Sequence, residues 1–186
     1  MNIIFLDLDG VIQYSINELY PESIKLLKDI INEYDAKIVL ITSNVRLPGK
    51  RQYNGIVRYL ELIGITNVIG KINYYLEGDF LGLRVSARTW GIIDVLARNK
   101  DINYVIIDDE YHNQYKRLGL NYIRTNTYIG LTKKDIVEPI FKKNNIREEL
   151  LNYHEQSFED KPYLRNTNNL IKVLRKVYEK RINDEL

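Results

Sequence analysis

The chain contains no cysteine, which excludes disulfide bridges, thiol nucleophiles and zinc sites built on cysteine. It also lacks any apolar run approaching the roughly 20 residues that a membrane-spanning helix needs. The first apolar run follows no basic region and is interrupted by Asp7, so we expect no secretory signal. We therefore expect a cytoplasmic protein with no membrane partner.

A strong charge of one sign is absent as well. The 27 basic and 25 acidic residues give a net charge of +2, so bulk charge favours no particular class of partner. Hydrophobic residues make up 45% of the 186 positions, which is enough to bury a substantial core. Function must therefore be sought in local patterns.

The stretch from Asn2 to Ile12, NIIFLDLDGVI, contains the most informative pattern. Its four apolar residues from Ile3 to Leu6 predict a short buried strand. The strand ends in Asp7 and Asp9, and Gly10 then permits a sharp turn. Two carboxylates this close raise each other's pKa. A bound cation or a role in proton transfer would offset that cost, and the residues alone leave both open.

A second strand with an acidic end lies about a hundred residues further along. Tyr104 to Ile107 are apolar and run directly into Asp108, Asp109 and Glu110. Either acidic turn alone could be a solvated connection. Two buried strands that both end in acid pairs instead indicate one shared sheet edge with a metal between them.

The order of elements predicts the fold class. Pro21 suits the first position of a helix, and apolar residues then recur at helical spacing as far as Tyr34. Lys37 to Thr42 reads as the next strand. A strand–helix–strand order implies parallel pairing, so we predict a Rossmann-like, doubly wound α/β fold with a mainly parallel sheet of about five strands.

Later segments extend this pattern. We predict a catalytic domain over residues 1–143 and a helical C-terminal extension over 144–186, packed on the same domain. In the extension, the amphipathic stretches Ile146 to Tyr153 and Leu170 to Ile182 are typical of helices.

Four segments together resemble the motifs of the haloacid dehalogenase superfamily of aspartate-nucleophile phosphotransferases. FLDLDGVI is similar to its first motif, KIVLITSNVR to its second and VIIDDE to its fourth, while Arg88 lies near its third-motif lysine. The pattern is most similar to the small capless domains associated with RNA repair proteins, and it covers roughly Met1 to Gly130. The connections after the first and second motifs leave little or no room for a cap.

The resemblance implies the chemistry of the acidic residues. Asp7 would be the nucleophile that takes up the phosphoryl group, and Asp9 the general acid and base. Mg²⁺ would be the cofactor, held by Asp7 and Asp108 with help from the Asp9 carbonyl and from Asp109.

The resemblance also implies phosphate ligands. Thr42 and Ser43 would donate hydrogen bonds to phosphate oxygens, and which of them is the main donor stays open. Arg88 would supply fixed positive charge in place of the usual lysine. We favour it over Lys100, which we place at the far end of the helix.

Beyond the second predicted strand, the chain turns basic. We expect Arg46, Lys50 and Arg51 to border the site and bind further substrate phosphates, although a merely solvated surface is the alternative. The expected function is an Mg²⁺-dependent phosphatase acting on a nucleotide or a nucleic-acid end. Two alternatives remain, namely a non-catalytic phosphate- or nucleic-acid-binding module and a small-molecule phosphotransferase.

Overall fold

The computed structural model describes residues 1–15, 18–43, 50–73, 78–80, 82–146, 149–150 and 152. These residues form strands and helices that alternate along much of the chain. In chain order they are β1 (Asn2–Leu6), β2 (Gln13–Ser15), β3 (Glu18–Leu19), α1 (Pro21–Glu33), β4 (Lys37–Leu40), α2 (Lys50–Leu62), β5 (Val68–Lys71), β6 (Gly78–Phe80), β7 (Leu83–Val85), α3 (Ala87–Arg98), β8 (Asn103–Asp108), α4 (His112–Leu118), β9 (Tyr122–Arg124), a 3-10 helix (Lys133–Asp135) and β10 (Lys142–Lys143).

The main sheet of the described chain has six strands, with β1 at its centre. Strand β1 pairs in parallel with β4 on one side and with β8 on the other. Strand β5 adds in parallel beyond β4, while β9 (parallel) and β10 (antiparallel) both pair with β8. The predicted α/β class and mainly parallel sheet are thus confirmed. The antiparallel β10 adds a strand that the prediction lacked.

One face of the sheet packs on α3 and α4. Residues on alternate positions of the strands, including Phe5 and Ile106, contact Trp90 and Ile93 of α3 and Tyr115 of α4. All of these residues are almost fully buried. This packing holds α3 and α4 against the sheet and so determines where their polar side chains lie.

The opposite face packs on α1 and α2. The remaining strand positions, such as Ile4 and Val105, form a second cluster with Leu27 and Ile30 of α1 and Leu60 of α2. Helices on both faces make the fold doubly wound, and the central strands β1, β4 and β8 are apolar on both sides because both of their faces are covered.

No separate cap is formed by the described part of the chain. Between β1 and β4 there are only a small β2–β3 hairpin and α1, and between β4 and α3 only α2, β5 and the β6–β7 hairpin. These connections match the prediction of a minimal or absent cap. In the same part of the chain, no helix has the length and apolar character required to cross a membrane.

The start of the predicted C-terminal extension contacts the domain. The side-chain amide of Asn144 donates to the carbonyl oxygens of Leu96 and Asn99 at 2.7 and 2.8 Å, and Leu150 is fully buried. The helix predicted at Leu170 to Ile182 lies outside the described residues, so the proposed division at residue 143 stays a prediction.

Candidate active site

The carboxyl ends of the three central strands meet at one edge of the sheet. Leu6 of β1 lies opposite Leu40 of β4 and Ile107 of β8. The Asp7 amide donates to the Ile107 carbonyl oxygen at 3.0 Å, so the two chains stay paired into the turn. Asp7, Asp108 and Thr42 therefore follow these strands at the edge where open α/β sheets bind ligands.

Arg88 links the two strand-end aspartates. Its Nη1 donates to Asp7 Oδ2 at 2.5 Å and to Asp108 Oδ2 at 2.9 Å. All three side chains are at least nine-tenths buried. Buried charges are costly unless they are paired and hydrogen-bonded. A buried cluster of three ionisable side chains is therefore typical of a functional site.

The first turn of α3 positions Arg88. Ser86 caps the helix by accepting a hydrogen bond from the Thr89 amide at 3.1 Å. Gln114 of α4 accepts from the Ser86 amide and the Thr89 hydroxyl, which ties the two helices together. The Tyr111 ring lies against the guanidinium, with the Arg88 Cζ 5.1 Å from its centroid. Arg88 is thus held by several contacts.

The proton affinity of Asp7 is strongly altered. Burial raises the pKa of the Asp7 carboxyl from 3.8 to about 7, opposed by the Arg88 guanidinium and reinforced by the charge on Asp108. Asp7 is therefore poised near neutral pH, as is common for groups that do chemistry.

Tyr115 supports Asp108 from the opposite side. Its hydroxyl donates to Asp108 Oδ2 at 2.7 Å, while the Glu110 amide donates to Oδ1 at 2.8 Å. Burial and the adjacent Asp108 carboxylate raise the pKa of Tyr115 well above its usual value, so the phenol keeps its proton and remains a donor. Tyr115 was not predicted as a site residue, because nothing in its local sequence distinguishes it from a core tyrosine.

Asp109 completes an acidic cluster that could hold a metal ion. Asp7, Asp108 and Asp109 each offer one carboxylate oxygen, and these oxygens all lie within 4.8 Å of one another. Arg88 pairs with two of these three carboxylates, those of Asp7 and Asp108. The ligands of the cluster are the hard oxygens that Mg²⁺ and Ca²⁺ prefer, so the residues fit a divalent cation.

The turn after β1 leaves room for the Asp109 side chain beside Gly10. Gly10 has φ +72°, and a Cβ at that position would overlap the Asp109 carboxylate. The Thr127 hydroxyl donates to Asp109 Oδ2 at 2.6 Å, and the Thr125 hydroxyl donates to the Gly10 carbonyl oxygen at 2.8 Å. A side chain at position 10 would therefore displace a candidate metal ligand.

The Asp9 carboxylate is not one of the three carboxylates in the cluster. Its Oδ1 accepts a hydrogen bond from Gln13 Nε2 at 2.7 Å, and Gln13 Oε1 accepts from the Tyr59 hydroxyl of α2 at 2.7 Å. Gln13 is only 1% exposed, whereas Asp9 and Tyr59 are half-buried. Gln13 and Tyr59 were not anticipated. Gln13 contacts Asp9 across the turn after β1, and Tyr59 reaches Gln13 only because α2 packs on the sheet.

The remaining predicted residues are placed less completely. Thr42 is fully buried just beyond β4, whereas Ser43 is exposed. Lys50 and Arg51 open α2, but their side chains lie outside the described part of the structure, as does all of Arg46. Lys100 follows the C-terminal end of α3, at the opposite end of that helix from Arg88.

The raised pKa of Asp7 predicts linkage between pH and cation binding. Without a cation, the folded protein holds a proton on Asp7 that the unfolded chain has released above its ordinary pKa of 3.8. Holding this proton adds to the free energy of unfolding. The added stability is fully present below pH 4 and is lost as pH rises through about 7. A cation that binds Asp7 displaces the proton. The affinity for Mg²⁺ should therefore rise up to about tenfold per pH unit below 7 and level off above it.

Calorimetric titration with Mg²⁺ at pH 6, 7 and 8 measures this dependence. Asp101→Asn, which removes an exposed carboxylate beyond α3, should leave the dependence unchanged, whereas Asp7→Asn should remove it. A wild-type affinity that is equal at pH 6 and pH 8 would exclude Asp7 as a ligand.

Comparison with known proteins agrees with this geometry. A family model described as the HAD domain in Swiss Army Knife RNA repair proteins matches residues 3–136. Searches of curated proteins and of solved structures found no match. The matched range covers most of the chain and includes Asp7, Thr42, Arg88 and Asp108. This chain therefore belongs to the family of HAD domains found in Swiss Army Knife RNA repair proteins.

Proposed function

We propose that the protein is an Mg²⁺-dependent phosphatase that works through an aspartyl-phosphate intermediate. The main support for the proposal is that Arg88 binds both Asp7 and Asp108 at the carboxyl edge of the sheet. Membership of the HAD family supports hydrolase chemistry in general. The bound cation would offset negative charge on the phosphate and on the aspartates.

In the first step, an Asp7 carboxylate oxygen attacks phosphorus, and the bond from phosphorus to the substrate oxygen breaks. Asp9 gives its proton to that leaving oxygen. Arg88 keeps the Asp7 carboxylate oriented and favours its charged form, against the burial that raises its pKa. Thr42 and Ser43 donate hydrogen bonds to the phosphate oxygens.

In the second step, Asp9 takes a proton from water, and the water oxygen attacks the phosphorus of the aspartyl phosphate. The bond from Asp7 to phosphorus breaks, which releases inorganic phosphate and restores both carboxyl groups. Splitting one displacement into two in this way is the advantage of nucleophilic catalysis.

Substitution of each aspartate tests the proposal. Asp7→Asn should lower turnover at least about 1000-fold because it removes the attacking oxygen, and Asp9→Asn should also be severely impaired. Phosphate release from mononucleotides and end-phosphorylated oligonucleotides measures this, with circular dichroism to confirm folding. Excess chelator should silence the wild type, and Mg²⁺ should restore it.

The opposite results identify the alternatives. A folded wild type that binds phosphate esters but releases no phosphate would indicate a binding module. Undiminished hydrolysis by Asp7→Asn, or full activity in excess chelator, would contradict the mechanism.

The contact between Gln13 and Asp9 predicts a positioning role. Gln13→Met keeps the volume but removes the donor to Asp9, so kcat should fall about 10- to 100-fold with little change in KM. Tyr59→Phe, which frees Gln13 to rotate, should have a smaller effect in the same direction.

A double-mutant cycle separates this role from general damage. Gln13→Met should cost little further activity in an Asp9→Asn background, because the group it positions is already gone. Equal losses in both backgrounds would show that Gln13 acts only on the structure.

We further propose that the substrate phosphate lies on a nucleotide or at a polynucleotide end. The described chain forms no cap that would enclose a small substrate. Helix α2, which begins with Lys50 and Arg51, packs beside the site through the Tyr59–Gln13 contact. Basic residues there would hold additional substrate phosphates.

A triple Arg46/Lys50/Arg51→Ala variant tests this role for the basic residues. It should lose affinity for end-phosphorylated oligonucleotides and show a shallower salt dependence, while mononucleotide hydrolysis changes much less. Steady-state kinetics from low to high salt provide the measurement. An Arg117/Lys133/Lys134→Ala variant, in which three basic residues outside this run are removed, is the matched control. A triple variant that hydrolyses oligonucleotides as the wild type does would exclude this substrate surface.

A further inference from the structure

Two exposed tyrosines stack on each other, and each directly follows a residue that contacts a carboxylate of the candidate site. The rings of Tyr14 and Tyr128 have centroids 5.9 Å apart and planes inclined by 27°. Tyr14 is 49% exposed and Tyr128 is 77% exposed, so this pair presents aromatic surface to solvent. Neither residue belongs to the core clusters, and the mechanism above gives neither of them a role.

The residue that precedes each tyrosine contacts a carboxylate of the site. Gln13, which immediately precedes Tyr14, donates to the Asp9 carboxylate at 2.7 Å. Thr127, which immediately precedes Tyr128, donates to the Asp109 carboxylate at 2.6 Å. Each ring is therefore one residue away from a side chain that holds a carboxylate of the candidate site.

The loop bearing Tyr128 is fixed in place. Tyr20 donates from its hydroxyl to the Thr127 carbonyl oxygen at 2.7 Å, and the Tyr128 amide donates to Asn126 Oδ1 at 2.9 Å. The Leu131 amide donates to the Val11 carbonyl oxygen at 2.9 Å, which joins this loop to the turn after β1. The aromatic pair is thus presented on supported backbone, and little ordering is needed when a ligand binds.

We propose that Tyr14 and Tyr128 form a stacking surface for the nucleobase of the nucleotide whose phosphate is bound at Asp7. A base would extend the existing stack by packing against an exposed ring face. Such stacking is tolerant of base identity because every base has a flat π-face. The inference rests on the proposed phosphatase function and assigns its substrate class: a phosphate ester with a base next to the phosphate.

Nucleobase stacking is favoured over other uses of this surface by its position and shape. The ring planes are inclined by only 27°, and each ring directly follows a residue that contacts Asp9 or Asp109, whereas a sugar phosphate without a base would leave the rings exposed. Tyrosine loses little side-chain entropy on binding and keeps its hydroxyl end hydrated, which suits a surface that is open before substrate arrives.

Paired substrates with and without a base test the proposal. The substrates are adenosine 5′- and 3′-monophosphate, ribose 5-phosphate, and an end-phosphorylated oligonucleotide with a normal or an abasic terminal residue. Tyr14→Ala/Tyr128→Ala should lower kcat/KM roughly 5- to 100-fold for substrates that carry the base. For ribose 5-phosphate and the abasic end the change should be less than about twofold, since no stacking is lost.

Two control variants separate stacking from other effects. Tyr14→Phe/Tyr128→Phe keeps both rings and should retain wild-type preference for the base. Leu62→Ala, at a position that is 79% exposed at the end of α2, should leave all substrates unaffected. The mononucleotide and oligonucleotide substrates show whether the base belongs to a free nucleotide or to a nucleic-acid end.

Three outcomes would overturn the proposal. These are an equal loss on base-containing and base-free substrates, no loss on either, or loss of the preference in the phenylalanine variant. If the wild type hydrolyses none of these esters, the proposed phosphatase function fails instead. Calorimetric binding of adenosine monophosphate and of inorganic phosphate to the wild type and the double alanine variant then decides the inference. Weaker nucleotide binding with unchanged phosphate binding would support it, and equal nucleotide binding would refute it.

Discussion

The bridge that Arg88 makes between Asp7 and Asp108 is the interaction on which the site depends. Two carboxylates at the ends of neighbouring parallel strands would repel each other in a buried setting, and one guanidinium bonded to both opposes that repulsion. Arginine suits this position because it stays charged when buried and offers several donors from one planar group. The bridge requires β1, β8 and the start of α3 to be placed together, which ties the chemistry to the fold.

The fold could be predicted because its signals are local or follow from parallel pairing. The apolar runs that end at Leu6, Leu40 and Ile107 mark strands buried on both faces, and helical periodicity marks α1 between the first two. Once these strands are parallel neighbours, their carboxyl ends must share an edge. The meeting of Asp7 and Asp108 was therefore accessible from the sequence, whereas Arg88 was proposed from the family resemblance.

The supporting contacts could not be predicted, because each depends on how two elements pack against each other. Tyr115 reaches Asp108 only through the placement of α4, and Tyr59 reaches Gln13 only through the packing of α2. Strand β10 consists of two exposed lysines, and its antiparallel pairing with β8 depends on how the chain returns to that edge. Such contacts give no periodic signal, since each depends on a single side chain and on the packing around it.

The central claim is that a phosphoryl group passes through Asp7. Brief incubation with substrate labelled at the phosphate, an acid quench and peptide mapping test this claim directly, because an acyl phosphate survives in acid long enough to be located. We expect Mg²⁺-dependent label on the peptide containing Asp7, removed by hydroxylamine and absent in Asp7→Asn. The intermediate should accumulate in Asp9→Asn. If that variant releases phosphate but the peptide containing Asp7 carries no label, the claim is contradicted.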